Sequence, residues 1–407
     1  MKTIYYDYIN EYWHHNDSKQ SYTWGAHHIE LPFHSKTFSS IPFHVADAKG
    51  KLGPVIGVLT SRTVLSNLHS KTYDLLQTVE CYVHEGGGLL FLFCDQGLYH
   101  RSIHGMIFDR TTQQWIKAIV PYPDVIYNRF PSRKHENQSY MKQAFQKIKS
   151  EKIPIFNPSF FSKWEVYLLL QNHPSLKKHL PYTILFQQPS DIEQMLNLHE
   201  KIYIKPSNSS KGNGIFTLSR DSNGAIQYES PLTKSHLETI HTIVHDHLQD
   251  SSKQWILQEA ISSDCIDEKR YDLRILVHQQ SGEFSISGIG IRQSQTQSIT
   301  THTLNGGVIV PFSAIEDQVD RLLLDRLVNE CGQCLAKQLG LIGEFSMDMV
   351  KSIKNEYYIL EVNAKPMIFD EPIIQKQGMY RLLNLFYELA GFSDVRSKSL
   401  IDYVHHS

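Results

Sequence analysis

The strongest constraint on this chain is a pair of short runs near its C-terminal end. They read Glu344-Phe345-Ser346-Met347-Asp348-Met349-Val350 and Tyr358-Ile359-Leu360-Glu361-Val362-Asn363. Apolar and polar residues alternate in both, the period of a β-strand, where residues two apart share a face. Phe345, Met347 and Met349 define one side of the first run and Asp348 lies on the other. In the second run Glu361 and Asn363 leave together, and Leu360 and Val362 are expected to face the core. The polar residues 351–356 between them suit a hairpin connection. Antiparallel pairing would set Asp348 beside Glu361. Two carboxylates and an amide oxygen on one face are hard donors suited to Mg²⁺; the competing reading is that they only face solvent.

At 407 residues the chain exceeds one ordinary core, so two or three domains are expected. A formal charge of −2 removes the global basic field that nucleic-acid or anionic-membrane binding would use. No basic start followed by an apolar run, and no stretch of about eighteen apolar residues, is present. The expectation is a cytoplasmic, reduced protein with neither membrane nor nucleic-acid partners. The five cysteines make no disulfide framework. Cys331 and Cys334 form a CxxC that could indicate redox or zinc chemistry. Yet they continue a helical apolar pattern (Leu323, Leu327, Val328, Leu335) that ends at Gly340, so they read as buried small residues. The 22 histidines are scattered, without metal-ligand spacing.

Residues 1–50 are expected to form a β-rich appendage of no assigned function, and residues 51–150 an α/β unit. Its strands are expected over 54–59, 89–93, 115–120 and 124–129, with a helix over 64–83. Gly86-Gly87-Gly88 follows that helix and opens a strand, the reverse of a phosphate loop, so it reads as a turn. Arg129 and Arg133 sit where a strand meets a loop; they are either solvated or an anion contact. Asn157-Pro158 opens the next unit, and Ser162-Lys163-Trp164-Glu165 is a capping box. Lys163 in that first turn opposes the helix dipole, a local misfit that hints at function.

The 201–206 strand places Tyr203 and Lys205 on one face and runs into Ser207-Asn208-Ser209-Ser210-Lys211-Gly212-Asn213-Gly214 before another strand. A Ser/Gly hairpin of this kind can fold its N–H groups over phosphates. It is not a Walker loop, since it lacks GK[ST] and a following helix. Residues 255–261, including Gln258, Glu259, Ala260 and Ile261, form an apolar segment that can offer backbone groups to an adenine edge. Asp272 and Arg274 share a strand face, where they are either an ion pair or site residues. Arg292 closes the 284–292 strand and is the candidate fork for a terminal phosphate. Asn305-Gly306-Gly307 follows.

In this order the residues resemble the ATP-grasp superfamily over roughly residues 155–395. Several stretches are closer to its YheC/YheD-type, endospore coat-associated family: GPVIGVLT (53–60), PDVIYNRFPSR (123–133), NPSFFSKWEVY (157–167), IKPSNSSKGNGI (204–215), YDLRILV (271–277) and LEVNAKPMIFDEP (360–372). The resemblance implies an α/β (α+β) ATP-grasp fold over 151–400. Its central part would cover about 180–260 and its C-terminal part about 261–400, with a Rossmann-like pre-ATP-grasp unit over 51–150 ahead of it. It implies ATP and one or two Mg²⁺ ions, with Mn²⁺ as the alternative. Lys163, Lys205 and the loop residues Ser209, Ser210, Lys211, Gly212 and Gly214 would hold phosphates. Gln258 to Ile261 would hold adenine, with Asp272 on the nucleotide side. Asp348, Glu361 and Asn363 would hold metal, and Arg274 and Arg292 would be catalytic. The implied activity is ligation of a small-molecule or peptide carboxylate to an amine through an acyl phosphate. After the ExN motif the chain departs from the Pro-Gly pattern of many ligases, reading Ala364-Lys365-Pro366-Met367, which leaves the substrate open. The alternative is an ATP-binding scaffold without turnover. Spore-coat association and homo-oligomerisation are the further partner expectations.

Overall fold

The computed structural model describes the chain apart from residues 36, 38, 68–70, 210–212, 232, 234, 235, 251, 296–298, 302–305, 367 and 396–407. Among the described residues, helices pack on four sheets that follow one another along the chain.

The first sheet occupies residues 2–53. Its aromatic inner face, with Tyr6, Trp13, Trp24 and Phe43, shares one apolar cluster with Leu59, Phe91 and Val120 of the second sheet. The second sheet has a parallel centre: Leu89–Phe93, Val55–Leu59, Val125–Asn128 and Ile155–Phe156 lie side by side. Every residue of Val55–Leu59 and Leu89–Phe93 is buried, as parallel strands covered on both faces require. Two details depart from the sequence reading. The expected 64–83 helix is two helices, Arg62–Ser66 and Lys71–Glu85. Ile103–Asp109 is an additional strand, with Gly105 breaking its apolar pattern; a Cβ there would meet the Leu92 carbonyl oxygen at 2.5 Å.

The third sheet is antiparallel, in the order Thr183–Leu185, Trp255–Glu259, Lys201–Pro206, Phe216–Arg220, Ile226–Glu229, His236–Glu238. Ile192, Met195 and Leu196 of the helix Pro189–Leu198 cover it. The fourth sheet runs Val308–Val310, Glu283–Gln293, Lys269–Gln280, Glu344–Lys351, Tyr357–Asn363. On one face, Leu324, Leu327, Val328, Cys331 and Leu335 of helix Arg321–Leu339 pack on Phe284, Phe345 and Met347. Cys331 is wholly buried and Cys334 partly so, which places this CxxC in the helix–sheet core. The other face carries Asp272, Arg274 and Asp348 at one end. At its far end helix Pro372–Ala390 packs so closely that a Cβ on Gly288 would meet Ile374 at 2.6 Å. That helix also inserts Leu382, Phe386 and Tyr387 among residues of the second sheet. No helix of the described residues is long and apolar enough to cross a membrane.

Candidate active site

The two C-terminal strands pair antiparallel, with Asp348 opposite Glu361 and Ser346 opposite Asn363. Phe345, Met347 and Met349 are fully buried on the other face. The register slips between Asp348 and Met349, making Leu360 the extra residue of a β-bulge. This corrects one expectation. Ile359 and Val362 enter the core, whereas Leu360 lines the cleft beside Glu361. Simple alternation could not show the bulge, because an inserted residue shifts the facing of everything before it.

The cleft holds ≈ 470 Å³ between the third and fourth sheets. Loops from the second sheet close one side of it. Lysine and arginine outnumber aspartate and glutamate eight to four in its described lining, although the chain carries a formal charge of −2.

Lys163 ties three elements together. Its Nζ donates to the Ser209 carbonyl oxygen at 2.6 Å and to Glu361 Oε1 at 2.9 Å. The first turn of helix Lys163–Gln171 is capped from two sides. Ser162 Oγ accepts from Glu165 N at 3.5 Å, and Ser207 Oγ accepts from Trp164 N at 3.3 Å. The loop after Lys205 is thereby fastened to the helix that bears Lys163. Lys205 is 8% exposed and its Nζ donates to the neutral Gln258 Oε1 at 2.7 Å. Burial pushes its ammonium down to about 8, with Lys163 acting in the same direction and Glu361 and Asp348 opposing. Ser210, Lys211 and Gly212 lie outside the described residues. Gly214 has φ +75°, is exposed and does not line the cleft.

Gln258, Glu259 and Ile261 line the cleft at the end of the strand Trp255–Glu259, but Ala260 does not, and its N–H is donated to the Lys201 carbonyl oxygen at 3.0 Å. The Glu259 carboxylate accepts from Tyr182 N at 2.9 Å and lies 3.1 Å from His199 Nδ1.

Asp272 and Arg292 are directly opposite on neighbouring strands. The guanidinium is bidentate to Asp272, with both bonds at 3.1 Å, and Nη2 is also 3.1 Å from Asp348 Oδ1. Thr301 Oγ1 donates to Asp272 as well. Both ion-paired residues are 6% exposed. Asp272 therefore pairs with Arg292 rather than with Arg274 while still lining the cleft, and the Arg292 fork is engaged by carboxylates rather than left open. Arg274 is different. It faces the cleft with its guanidinium 4.7 Å from the Phe369 ring centroid, and its buried Nε has no hydrogen-bond partner.

A family model described as YheC/D-like ATP-grasp matches residues 152–390. The chain belongs to this family. A YheC/D-like ATP-grasp chain of this kind has two curated relatives in Bacillus subtilis (strain 168). It is 26% identical to "endospore coat-associated protein YheD" over 85% of this chain and 79% of that one. It is 20% identical to "endospore coat-associated protein YheC" over 65% of this chain and 76% of that one. Among solved structures, D-alanyl-alanine synthetase A from Vibrio cholerae superposes with TM-score 0.50 at 13% identity, covering 83% of this chain and 99% of that one. At that identity the likeness is one of fold.

Two further lining residues are Arg129, which the sequence left as either solvated or an anion contact, and Lys365. Arg129 donates to the Pro366 carbonyl oxygen at 3.1 Å and lies 3.4 Å from Glu344 Oε1. Tyr127 donates to the same Glu344 oxygen. Burial opposes ionisation of Glu344, but His278, Arg129 and Tyr127 together hold its carboxyl below the ordinary value. Lys365 forms a buried pair with Glu136 at 2.6 Å and lies 4.3 Å from the Phe160 ring centroid, and burial lowers its ammonium to about 8. The departure from the Pro-Gly pattern after ExN was the one sequence signal that pointed to Lys365.

The donors fit a divalent cation. Asp348 Oδ1 is buried without an aligned hydrogen-bond donor, and Glu361 already holds one cationic group, the Lys163 ammonium. Asn363 lines the same cleft, two residues along from Glu361. The described residues contain no cluster of three His, Cys, Asp or Glu side chains, so the set would be two carboxylates and an amide.

Proposed function

We propose that this protein is an ATP-dependent carboxylate–amine ligase. The observation that carries the reading is the convergence on Lys163, whose one ammonium joins the Ser/Gly loop, the helix N-terminus and the acidic strand. Lys163 and Lys205 would neutralise phosphate oxygens, with the loop after Lys205 folding over them. The Glu259 carbonyl and the Ile261 N–H would hold the adenine edge; the Glu259 and Ala260 N–H groups are already donated to the Tyr182 and Lys201 carbonyl oxygens.

In this reading a substrate carboxylate oxygen attacks the γ-phosphorus, and the bond from that phosphorus to the bridging oxygen breaks, releasing ADP. An amine then attacks the acyl carbon of the resulting acyl phosphate. Inorganic phosphate leaves and the nitrogen loses a proton. Asp348, Glu361 and Asn363 would hold Mg²⁺, which would supply neutralisation of phosphate charge. Arg292 orients Asp348 and balances its charge. The open guanidinium of Arg274 is the fork for the transferring phosphoryl group. The work of the protein is thus positioning and electrostatics, with no side-chain nucleophile required.

A second reading draws on the relatives, both named as endospore coat-associated: a nucleotide-binding coat component without turnover. An ADP-release screen against carboxylate and amine libraries, with mass detection of products, separates the two. Carboxylate-dependent ADP release supports the ligase. Tight ATP binding with no release across the acid panel overturns it in favour of the coat component.

A further inference from the structure

Three cations stand on the cleft wall formed by the second sheet and the segment after Asn363, and they are not equivalent. Lys365 is neutralised by Glu136. Arg129 faces Glu344. Among the described residues, Arg133 has no carboxylate in ion-pair contact. Its Nη1 donates to Asn208 Oδ1 at 3.0 Å and its Nη2 to the Phe161 carbonyl oxygen at 2.5 Å, both neutral acceptors. Three carboxylates act on it through space: Glu136, which pairs with Lys365, Glu165, and Glu361, which pairs with Lys163. Burial lowers the pKa of this guanidinium, and these carboxylates counter that only through space.

Its position is informative. The Arg133 guanidinium lies 5.3 Å from the Phe160 ring centroid, and the same ring carries Lys365 at 4.3 Å. Arg133 therefore borders the segment that follows the metal-binding strand, where the acceptor side of the reaction would lie. Gln258 and Glu259 of the proposed nucleotide wall belong to the third sheet, and Ile261 follows them. A guanidinium has five donors in a planar fork. Beside an aromatic ring and bonded to two neutral oxygens, this one is set up for a planar anion arriving from the cleft.

We infer that Arg133 defines a subsite for a second carboxylate on the substrate, one that does not react, so that the acid taken by this enzyme is acidic at two positions. The inference rests on the ligase reading for the identity of the reacting group, but its test does not depend on turnover. Dicarboxylic amino acids and peptides bearing a glutamate or aspartate side chain are the class that fits. The competing assignment for Arg133 is a nucleotide phosphate, because Asn208 belongs to the loop after Lys205.

Equilibrium dialysis of full-length, ADP- and Mg²⁺-saturated protein distinguishes these. The probes are acid/amide pairs: glutamate with glutamine, aspartate with asparagine, and dipeptides ending in each. Within a pair the main-chain carboxylate is common, so preference for the acid isolates the second one. Wild type should retain at least one acid about tenfold over its amide partner, and Arg133→Met should reduce that preference below about twofold. Arg133→Lys, which keeps the charge but loses the fork, should fall between them. Labelled-ADP affinity should change less than twofold in either variant. No acid preference in wild type overturns the inference without using any variant. So does a preference that survives Arg133→Met while ADP affinity falls tenfold, which would make Arg133 a phosphate contact. Absent ADP release with preserved acid preference would count against the ligase reading alone.

Discussion

Lys205→Met should stabilise the ligand-free protein near neutral pH and weaken its hold on nucleotide. Lys205 is 8% exposed, meets only a neutral oxygen, and has its pKa lowered from 10.5 to about 8 by burial. A shift of that size corresponds to about 3 kcal/mol held against the charged form. The sign follows from linkage. Below pH 8 the folded and unfolded states both carry the proton, and the full desolvation penalty opposes folding. Between pH 8 and 10.5 the unfolded chain binds a proton that the folded one does not, so wild-type stability rises with pH. From pH 7 to pH 9.5 the contribution of this one group should rise by about 2 kcal/mol. Methionine has no such titration. Loss of the bond to Gln258 subtracts about 1 kcal/mol, leaving the variant ahead by about 2 kcal/mol at pH 7. Denaturation of both proteins at pH 7 and 9.5 reads the gap and its change. Binding of a fluorescent ATP analogue reads the functional loss, expected at tenfold or more. A variant less stable than wild type at pH 7, or a gap that does not narrow by pH 9.5, would refute the account of a buried ammonium whose desolvation outweighs its nearby carboxylates. Unchanged nucleotide affinity would refute the assignment of Lys205 to phosphate.

Asp348→Asn and Glu361→Gln should each lower Mg²⁺-dependent ATP turnover by roughly two orders of magnitude while circular dichroism stays native, in line with losing a transition-state charge contact; near-wild-type turnover in either would remove the metal assignment. Asn157→Ala should destabilise by at least about 3 kcal/mol, because buried amide and carbonyl groups would each lose a partner. The Asn157 side chain bonds the Glu344 and Ala364 carbonyl oxygens and the Gly343 N–H, and its φ of +55° suits asparagine better than alanine; thermal denaturation checks this. Gly332→Ala should also destabilise, by about 1–3 kcal/mol, although alanine is the better helix former. The added Cβ would sit 2.2 Å from the buried Phe284 ring, and a melting temperature at or above wild type would show that the ring moves aside freely.

Much of the fold and of the candidate site could be read from particular residues. The strand pair at 344–351 and 357–363 was legible because apolar Phe345, Met347 and Met349 alternate with Ser346 and Asp348, and burial of one face fixes the register. The helix carrying Cys331 and Cys334 was legible from its apolar stripe, which also explains why the CxxC is a packing feature. The split of the 64–83 helix and the Ile103–Asp109 strand were not, since local pattern carries no record of where a chain reverses. The Leu360 bulge was hidden for a related reason: its effect depends on the partner strand.

The sequence alone therefore determined the family, the strand pair bearing Asp348 and Glu361, and the side of it that those two residues share. These follow from short-range rules, in which facing, turns and caps are set by neighbours a few positions apart. Tertiary structure alone decided which charges stay available. Arg292 and Arg274 look alike on their strands, yet register puts Asp272 and Asp348 against the first and a phenyl ring against the second. Lys365 and Arg133 lie far apart in the chain and meet at one phenylalanine, the first paired and the second not. Whether a charge is spent or open depends on partners brought in from distant segments, and electrostatic strength depends on the burial those segments create.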